Sequence, residues 1–211
     1  MSRIHGKPID SEEIERIVGR EFTSQSFASL CNSIAWASAG RRCSSLPSFT
    51  ERVNAKDGGI DAEWEAEFPG DGNYASPLLG PGWNVFQYKQ RDVFSQGREA
   101  TFSSLMTGLN GAIKDLYERT GRRPDRYTLF TNLDLTHFTK GQKGRLRKKI
   151  LAGYDQLTRV HVQIVGAAEL AALLNNLPHL RSAFFTPEEF STWQEAWLQH
   201  SRHKLFGANV N

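Results

Sequence analysis

One stretch of the chain alternates apolar and acidic residues without a break. Its apolar members are Ile60, Ala62, Trp64, Ala66 and Phe68, and its acidic members are Asp61, Glu63, Glu65 and Glu67. Because successive side chains of a β-strand point to opposite faces, this alternation predicts a strand with one apolar and one polar face. The preceding Lys56-Asp57-Gly58-Gly59 is typical of a turn. Such a strand requires a sheet around it, and we interpret the three glutamates as a solvated face.

Hydrophobic periodicity predicts helices and further strands on both sides of this segment. The predicted helices begin with a capping box at Asp10 and Glu13 and continue with Ser24–Ala39, Arg98–Thr120, Lys140–Tyr154 and Ala168–Asn175. The other predicted strands are Ser48–Asn54, Trp83–Lys89, Tyr127–Asn132 and Val160–Val165. Strands in direct succession favour antiparallel pairing, and the later alternation of strand and helix favours parallel pairing. We therefore predict an α/β fold, a mixed sheet flanked by helices.

The last part of the chain is predicted to lie apart from this sheet. Pro178 marks a break, and Thr186-Pro187-Glu188-Glu189 has the cap, proline and glutamate of a helix start. We predict one domain over residues 1–180 and a helical linker or appendage over residues 181–211. The appendage would lead toward a further domain.

Composition and motifs exclude several classes of protein. A net charge of +3 over 211 residues is too small to indicate a nucleic-acid partner by itself. Two cysteines, Cys31 and Cys43, cannot form a disulfide framework, so we expect free thiols in a reducing compartment. No window holds the ~18 apolar residues of a membrane span, and the first residues lack a signal-peptide pattern. We expect a cytoplasmic protein without a membrane partner.

Asp61, Gln87 and Lys89 are the candidate catalytic residues. Gln87 and Lys89 are two residues apart in the predicted strand Trp83–Lys89 and therefore share a face. Mg²⁺ takes oxygen ligands and keeps several waters, so the Asp61 carboxylate, the Gln87 amide oxygen and the Tyr88 backbone carbonyl suffice to bind it. Lys89 would orient a water or stabilise charge in the transition state. Metal-assisted cleavage of a phosphodiester requires such a set.

The two motifs Lys56–Asp61 and Phe86–Lys89 together resemble those of the PD-(D/E)xK nuclease superfamily. The likeness is greatest to the Mrr-like restriction endonuclease branch, whose sequences read Gly-Asp-Gly-Gly-Ile-Asp and then Gln-x-Lys, and it covers roughly residues 25–165. The resemblance implies a restriction-endonuclease-like fold with an α-β-β-β-α-β core. It also implies DNA cleavage with Mg²⁺, for which Mn²⁺ substitutes. The metal-binding Asp of the family corresponds to Asp61, and its Gln-x-Lys pair to Gln87 and Lys89.

One position departs from the pattern of this family. Its members often carry a Glu on the first helix as a further metal ligand, and Ala28 stands there in this chain. Glu21 is the nearest upstream carboxylate, and Glu51 on the first predicted strand is the other candidate. Either the site has a substitute for the missing ligand or the fold has lost its metal.

Basic residues indicate where DNA would lie. The predicted helix Lys140–Tyr154 is rich in Arg and Lys, which fits either a solvated helix or a contact with the DNA backbone. We predict phosphate contacts at Arg91, Lys143 and Arg147, with Arg91 closest to the candidate lysine in sequence.

The functional expectation is a Mg²⁺-dependent endonuclease that cleaves double-stranded DNA. By analogy with related arrangements, it would be the effector of a bacterial antiviral defence system, acting as a homo-oligomer or fused to an NTPase sensor of the STAND type. The alternative is a non-catalytic module of the same fold that binds DNA or a protein. A nuclease directed at RNA is a third interpretation.

Overall fold

The computed structural model describes residues 8–39, 48–49, 60–67, 78–136, 141–154 and 160–185. The helices are α1 (Ser11–Arg20), α2 (Ser24–Ala39), α3 (Val93–Gln96), α4 (Arg98–Gly108), α5 (Ala112–Thr120), α6 (Gln142–Ile150), α7 (Ala167–Asn176) and α8 (Pro178–Phe185). The strands are β1 (Ser48–Phe49), β2 (Ala62–Ala66), β3 (Gly82–Lys89), β4 (Arg126–Thr131) and β5 (His161–Val165). Outside the described residues lie the predicted turn Lys56–Gly59, Cys43, Glu51, Phe68 of the alternating stretch, and the helix predicted from Thr186.

The described strands form one mixed sheet in the order β1-β2-β3-β4-β5. The first three pair antiparallel, with Ala62 opposite Phe86 in β2 and β3. The last three pair parallel, with Gln87 of β3 beside Leu129 of β4. The predicted α/β class and the predicted change from antiparallel to parallel pairing are both confirmed.

Helices cover both faces of the sheet, and each face has its own apolar cluster. The first cluster joins Phe86 and Tyr88 of β3 to α1, α2, α7 and α8. The second joins Trp83 and Val85 of the same strand to α4, α5 and α6. Alternate residues of β3 therefore face different helices, which is why the strand is buried almost throughout. This alternation decides which face of the sheet receives Gln87.

Local sequence signals account for the start of the fold. Asp10 caps α1 by accepting the N–H of Glu13 at 2.8 Å, and the Glu13 carboxylate accepts the N–H of Asp10 at 3.1 Å. The predicted capping box and the predicted helix Ser24–Ala39 are confirmed. None of the helices in the described ranges has the length and apolar character needed to cross a membrane.

Three details differ from the predictions, each for a local reason. The helix predicted over Arg98–Thr120 is interrupted, because Gly111 adopts a left-handed conformation (φ 77°) and starts a new helix at Ala112. Pro178 begins α8 rather than ending the fold, as a proline at the first helical position can. Ile60 packs against the second cluster, so the alternation of β2 ends at a bend at Asp61.

Helix α8 continues past the predicted domain boundary at residue 180. It runs from Pro178 to Phe185, and Phe184 and Phe185 pack on Phe22 with ring centroids 6.4 and 5.4 Å apart. These contacts attach α8 to the first apolar cluster. The division into two parts remains a prediction, because residues 186–211 lie outside the described part of the chain.

A buried polar network fixes the segment that follows β3. Glu15 of α1 is 1% exposed, and its carboxylate accepts two bonds from the Arg98 guanidinium, at 2.7 and 3.1 Å. The same carboxylate accepts the backbone N–H of Asp134 at 3.1 Å. Asn132 bonds both the N–H and the carbonyl of Arg91, at 2.7 and 2.8 Å. The C-terminal ends of β3 and β4 are thereby tied to α1.

Gly82 is predicted to be indispensable at the start of β3. Its φ is 89°, and an added Cβ would overlap the Asp125 carboxylate, which accepts the N–H of Trp83 at 2.9 Å. Gly82→Ala should lower the free energy of unfolding by roughly 2–4 kcal/mol, measured by urea denaturation. Gly121→Ala is the matched control, because Gly121 has φ 65° but open space around it, and strain alone costs about 1 kcal/mol. Equal losses would contradict the role of Asp125.

Candidate active site

Asp61 lies where the antiparallel ladder between β2 and β3 ends. Its backbone N–H still donates to the carbonyl of Phe86 at 3.0 Å. Two residues further along β3, a side chain replaces the backbone acceptor of the ladder. The N–H of Tyr88 donates to Asp61 Oδ2 at 2.6 Å. The carboxylate is 6% exposed and lies level with Gln87, because Ala62 and Phe86 are paired. The bend at Asp61 thus places an acidic group at the C-terminal end of β3.

Gln87 and Lys89 lie on the β3 face that carries the second apolar cluster. Gln87 is 4% exposed, and its Oε1 accepts a hydrogen bond from the hydroxyl of Tyr127 in β4. Lys89 ends the strand two residues later, beside Thr131, and is half-buried. The predicted sharing of one face is confirmed for these two residues. The structure brings Asp61 and Gln87 to neighbouring positions on adjacent strands.

Three weak acids surround the Asp61 carboxylate. Burial raises the pKa of Cys31 well above its ordinary value, and the charge of Asp61 raises it further. Burial, followed by the charges of Cys31 and Asp61, likewise raises the pKa of Tyr88. Burial and then the charge of Asp61 raise the pKa of Tyr127, which favours the neutral phenol. Cys31 and Tyr88 belong to one face of the sheet and Tyr127 to the other, so Asp61 acts on both.

The residues present fit a hard divalent cation with few protein ligands. The N–H of Tyr88 donates a hydrogen bond to Oδ2 of Asp61. The amide oxygen of Gln87 accepts the Tyr127 hydroxyl with one lone pair and has a second lone pair. A strand residue directs its N–H and C=O to the same side, so the carbonyl of Tyr88 also points toward β2. No three His, Cys, Asp or Glu side chains gather as a metal site in the described part of the chain. The fit is therefore to Mg²⁺ with one carboxylate, neutral oxygens and waters.

Glu21 is placed at the end of α1 rather than in this group. It is exposed, and its carboxylate pairs with Arg16 at 3.5 Å. Ala28, the position where the resemblance expects a Glu, is 3% exposed and packs in the first apolar cluster. The end of α1 is nonetheless held close to β3, because Gln90 donates to the carbonyls of Val18 and Phe22, at 2.7 and 2.6 Å.

Arg91 has a more buried position than a surface DNA contact would need. Its guanidinium is half-buried, Nη1 donates to the carbonyl of Gln90 at 3.1 Å, and burial lowers the pKa of Arg91. Its Nε is buried and has no hydrogen-bond partner within the described ranges. Arg91 thus lies two residues after the candidate lysine, and its buried Nε donor is unused among the described residues.

Lys143 and Arg147 have different neighbours in the structure. Lys143, in the first turn of α6, pairs with Glu169, which lies in the first turn of α7 just after β5. The charge of Arg147, one turn later in α6, acts on His161 at the start of β5, whose pKa is lowered by burial and then by the charges of Arg126 and Arg147. Because β3, β4 and β5 run parallel, Glu169 follows β5 at the same end of the sheet at which β3 ends.

Tyr127 belongs to the site and was not predicted from the sequence. It lies in a strand that hydrophobic periodicity predicts, but its contact with Gln87 depends on the register of a parallel pair, which no turn specifies. The available signal was that an aromatic residue with a hydroxyl normally finds a polar partner when it is buried.

Glu63 and Glu65, which the sequence predicts to lie on a solvated face, make hydrogen bonds to other side chains. They bond the Trp83 indole and Arg122, both at 2.9 Å.

Stability is predicted to fall at alkaline pH. The raised pKa values mean that the folded chain keeps protons on Cys31, Tyr88 and Tyr127 that the unfolded chain releases, above about pH 8.5 for Cys and pH 10 for Tyr. Below those pH values all three groups keep their protons in the folded and the unfolded chain, so the free energy of unfolding does not lose their contribution. Above them, each group lowers the free energy of unfolding by up to about 1.4 kcal/mol per pH unit.

Urea denaturation at a series of pH values tests this, with Cys31→Ala as the comparison. Between about pH 8.5 and pH 10, the variant should lose stability less steeply than the parent chain, since it lacks the group that titrates first. Parallel curves over this interval would show that the thiol of Cys31 is not held protonated by the fold.

The chain matches no protein-family model, no curated protein and no solved structure. The chemistry of the site is therefore inferred from the arrangement of its own side chains. That arrangement is a buried carboxylate beside a buried amide at the end of a strand pair, followed by a lysine.

Proposed function

We propose that this protein is a Mg²⁺-dependent endonuclease of the PD-(D/E)xK type that cleaves phosphodiester bonds of double-stranded DNA. The observation that carries the proposal is the position of Asp61 level with Gln87, with Lys89 two residues further on. The mixed sheet, with helices on both faces, is compatible with a restriction-endonuclease-like core. The two sequence motifs that resemble this superfamily contain Asp61, Gln87 and Lys89, and the fold brings Asp61 level with Gln87 on adjacent strands.

Each residue has a chemical role in this proposal. Bound Mg²⁺ would supply Lewis-acid stabilisation of the phosphate and lower the pKa of a water. Asp61 and Gln87 would hold the cation, with the Tyr88 carbonyl as the third protein ligand. Lys89 is placed at the strand end to stabilise the negative charge that develops on the phosphate oxygens. A lysine at the end of a buried strand is well positioned for this, since its backbone is fixed by β4.

A second function has an observation of its own in its favour. Gln87 Oε1 already accepts the Tyr127 hydroxyl, and no group of three His, Cys, Asp or Glu side chains joins Asp61 within the described residues, where the superfamily that the motifs resemble often has a further Glu. A module of the same fold without metal, binding DNA or a protein, would show these same features. Lys143 and Arg147 would then carry a backbone contact with DNA, in the absence of catalysis.

The remaining parts of the proposal concern partners. Cleavage of both strands of a duplex needs two such sites, so a homo-oligomer or a fusion to a sensor NTPase fits a nuclease effector of bacterial defence. Cytoplasmic location would follow from that role. These points rest on the resemblance of the motifs and not on a contact in the structure.

Cleavage of supercoiled plasmid tests the catalytic proposal. The full chain is incubated with DNA and Mg²⁺ over a range of protein concentrations that permits assembly, beside Asp61→Asn and Lys89→Met. Both variants keep side-chain size, and each should cut at least on the order of 100-fold more slowly, because each removes a charge from the site. Chelation by EDTA should stop cleavage by the parent chain, and Mn²⁺ should replace Mg²⁺.

Two variants serve as matched controls. Glu65→Gln removes a carboxylate from the same strand, and Lys114→Met removes an exposed lysine of α5; both should cut at the parent rate. Equal cutting by the parent and both site variants, or cutting in EDTA, would contradict the assignment. DNA binding by the assembled parent chain without any cutting would favour the non-catalytic module.

A further inference from the structure

Tyr127 makes a contact that the proposed chemistry does not by itself require. Its ring is 2% exposed and belongs to the second apolar cluster, together with Val85 and Leu129. Tyr127 pairs with Val85 in the parallel ladder, so Gln87 lies diagonally across from it on the same face of the sheet. The hydroxyl reaches from β4 to the amide of Gln87 and donates to Oε1.

This hydrogen bond fixes whether the oxygen or the nitrogen of the Gln87 amide faces Tyr127. The terminal torsion of a glutamine side chain is broad and nearly two-fold, so oxygen and nitrogen can exchange positions at little cost unless a partner distinguishes them. A neutral phenol can donate or accept, but reversal of the amide would take away the acceptor that the buried hydroxyl proton of Tyr127 has in Oε1, which is costly. With Oε1 fixed by Tyr127, the second lone pair of that oxygen remains for a cation. With the amide reversed, an NH₂ group would take its place, and an NH₂ group cannot bind a metal ion.

We propose that Tyr127 is a positioning residue that fixes the Gln87 amide with its oxygen toward the cation. The inference rests on the proposed function, in that it needs a divalent cation between Asp61 and Gln87. It goes beyond that function by assigning to β4 a residue that neither sequence motif contains. A site that uses a glutamine in place of a carboxylate needs such a residue, because both ends of a carboxylate are oxygen.

The alternative is that Tyr127 only fills space and satisfies its hydroxyl. In that case Tyr127→Phe would destabilise the protein, as the loss of a buried hydrogen bond does, and would leave cation binding unchanged. The positioning role differs in a specific way. It predicts that the loss of the hydroxyl matters only while residue 87 is an amide.

A double-mutant cycle on cation binding separates the two roles. Mn²⁺ is titrated into the full chain without DNA, and binding is followed by electron paramagnetic resonance of the free ion. The proteins are the parent, Tyr127→Phe, Gln87→Glu and the double variant. Tyr127→Phe should raise the Kd for Mn²⁺ about 10-fold in the parent background, and less than about 2-fold in the Gln87→Glu background. Thr101→Val, which removes another buried hydroxyl bond, should leave the Kd unchanged.

Each outcome has a definite meaning. An unchanged Kd for Tyr127→Phe, or the same increase in both backgrounds, overturns the positioning role while the cation site stands. Absence of Mn²⁺ binding by the folded parent chain overturns the cation site and the positioning role together. Binding by the parent and a loss confined to the amide background support the inference, whether or not the chain cuts the plasmid used.

Discussion

The hydrogen bond from the backbone of Tyr88 to the Asp61 carboxylate is the interaction on which the site depends. It ends the ladder between β2 and β3 with a side chain instead of a carbonyl. An ionised carboxylate that is 6% exposed must be compensated, and a short bond from a backbone N–H is one of the stronger ways to do so. The same bond holds the acid at the height of Gln87. This hydrogen bond explains why the bend at Asp61 turns an acidic side chain inward.

The two faces of the sheet supply different residues around Asp61. Tyr88 and Cys31 belong to the first apolar cluster, while Tyr127 belongs to the second and bonds Gln87, and the charge of Asp61 raises the pKa of all three weak acids. On the far side of the strand ends, the Glu15–Arg98 pair and Asn132 hold the segment that follows Lys89. A site formed from strand ends and supported by buried polar contacts is more rigid than one formed from loops. Such rigidity would suit the proposed binding of a cation by Asp61 and Gln87.

The sequence predicted the parts of this arrangement that depend on local pattern. Alternation revealed β2 and β3 and put Gln87 and Lys89 on one face, and capping chemistry located α1. It could not predict the contacts that depend on packing over long distances. Tyr127 is 40 residues from Gln87, and Glu15 is 83 residues from Arg98. The break at Gly111 was missed because a glycine within an apolar stripe is compatible with a continuous helix until the backbone conformation is known. The helix carboxylate that the resemblance implies could not be assigned from the sequence, because Ala28 stands at its position. The substitute candidate Glu21 is exposed and pairs with Arg16.

The proposed chemistry requires one divalent cation bound where β2 begins and β3 ends. The most direct test of this cation site is the nuclear magnetic resonance spectrum of the amide groups of the folded chain during addition of substoichiometric Mn²⁺, whose unpaired electrons broaden nearby signals. Broadening should begin at Asp61, Gln87 and Tyr88 and should be lost in Asp61→Asn. Broadening that begins elsewhere, for example at Glu21 or Glu169, or that is unchanged in Asp61→Asn, would contradict it.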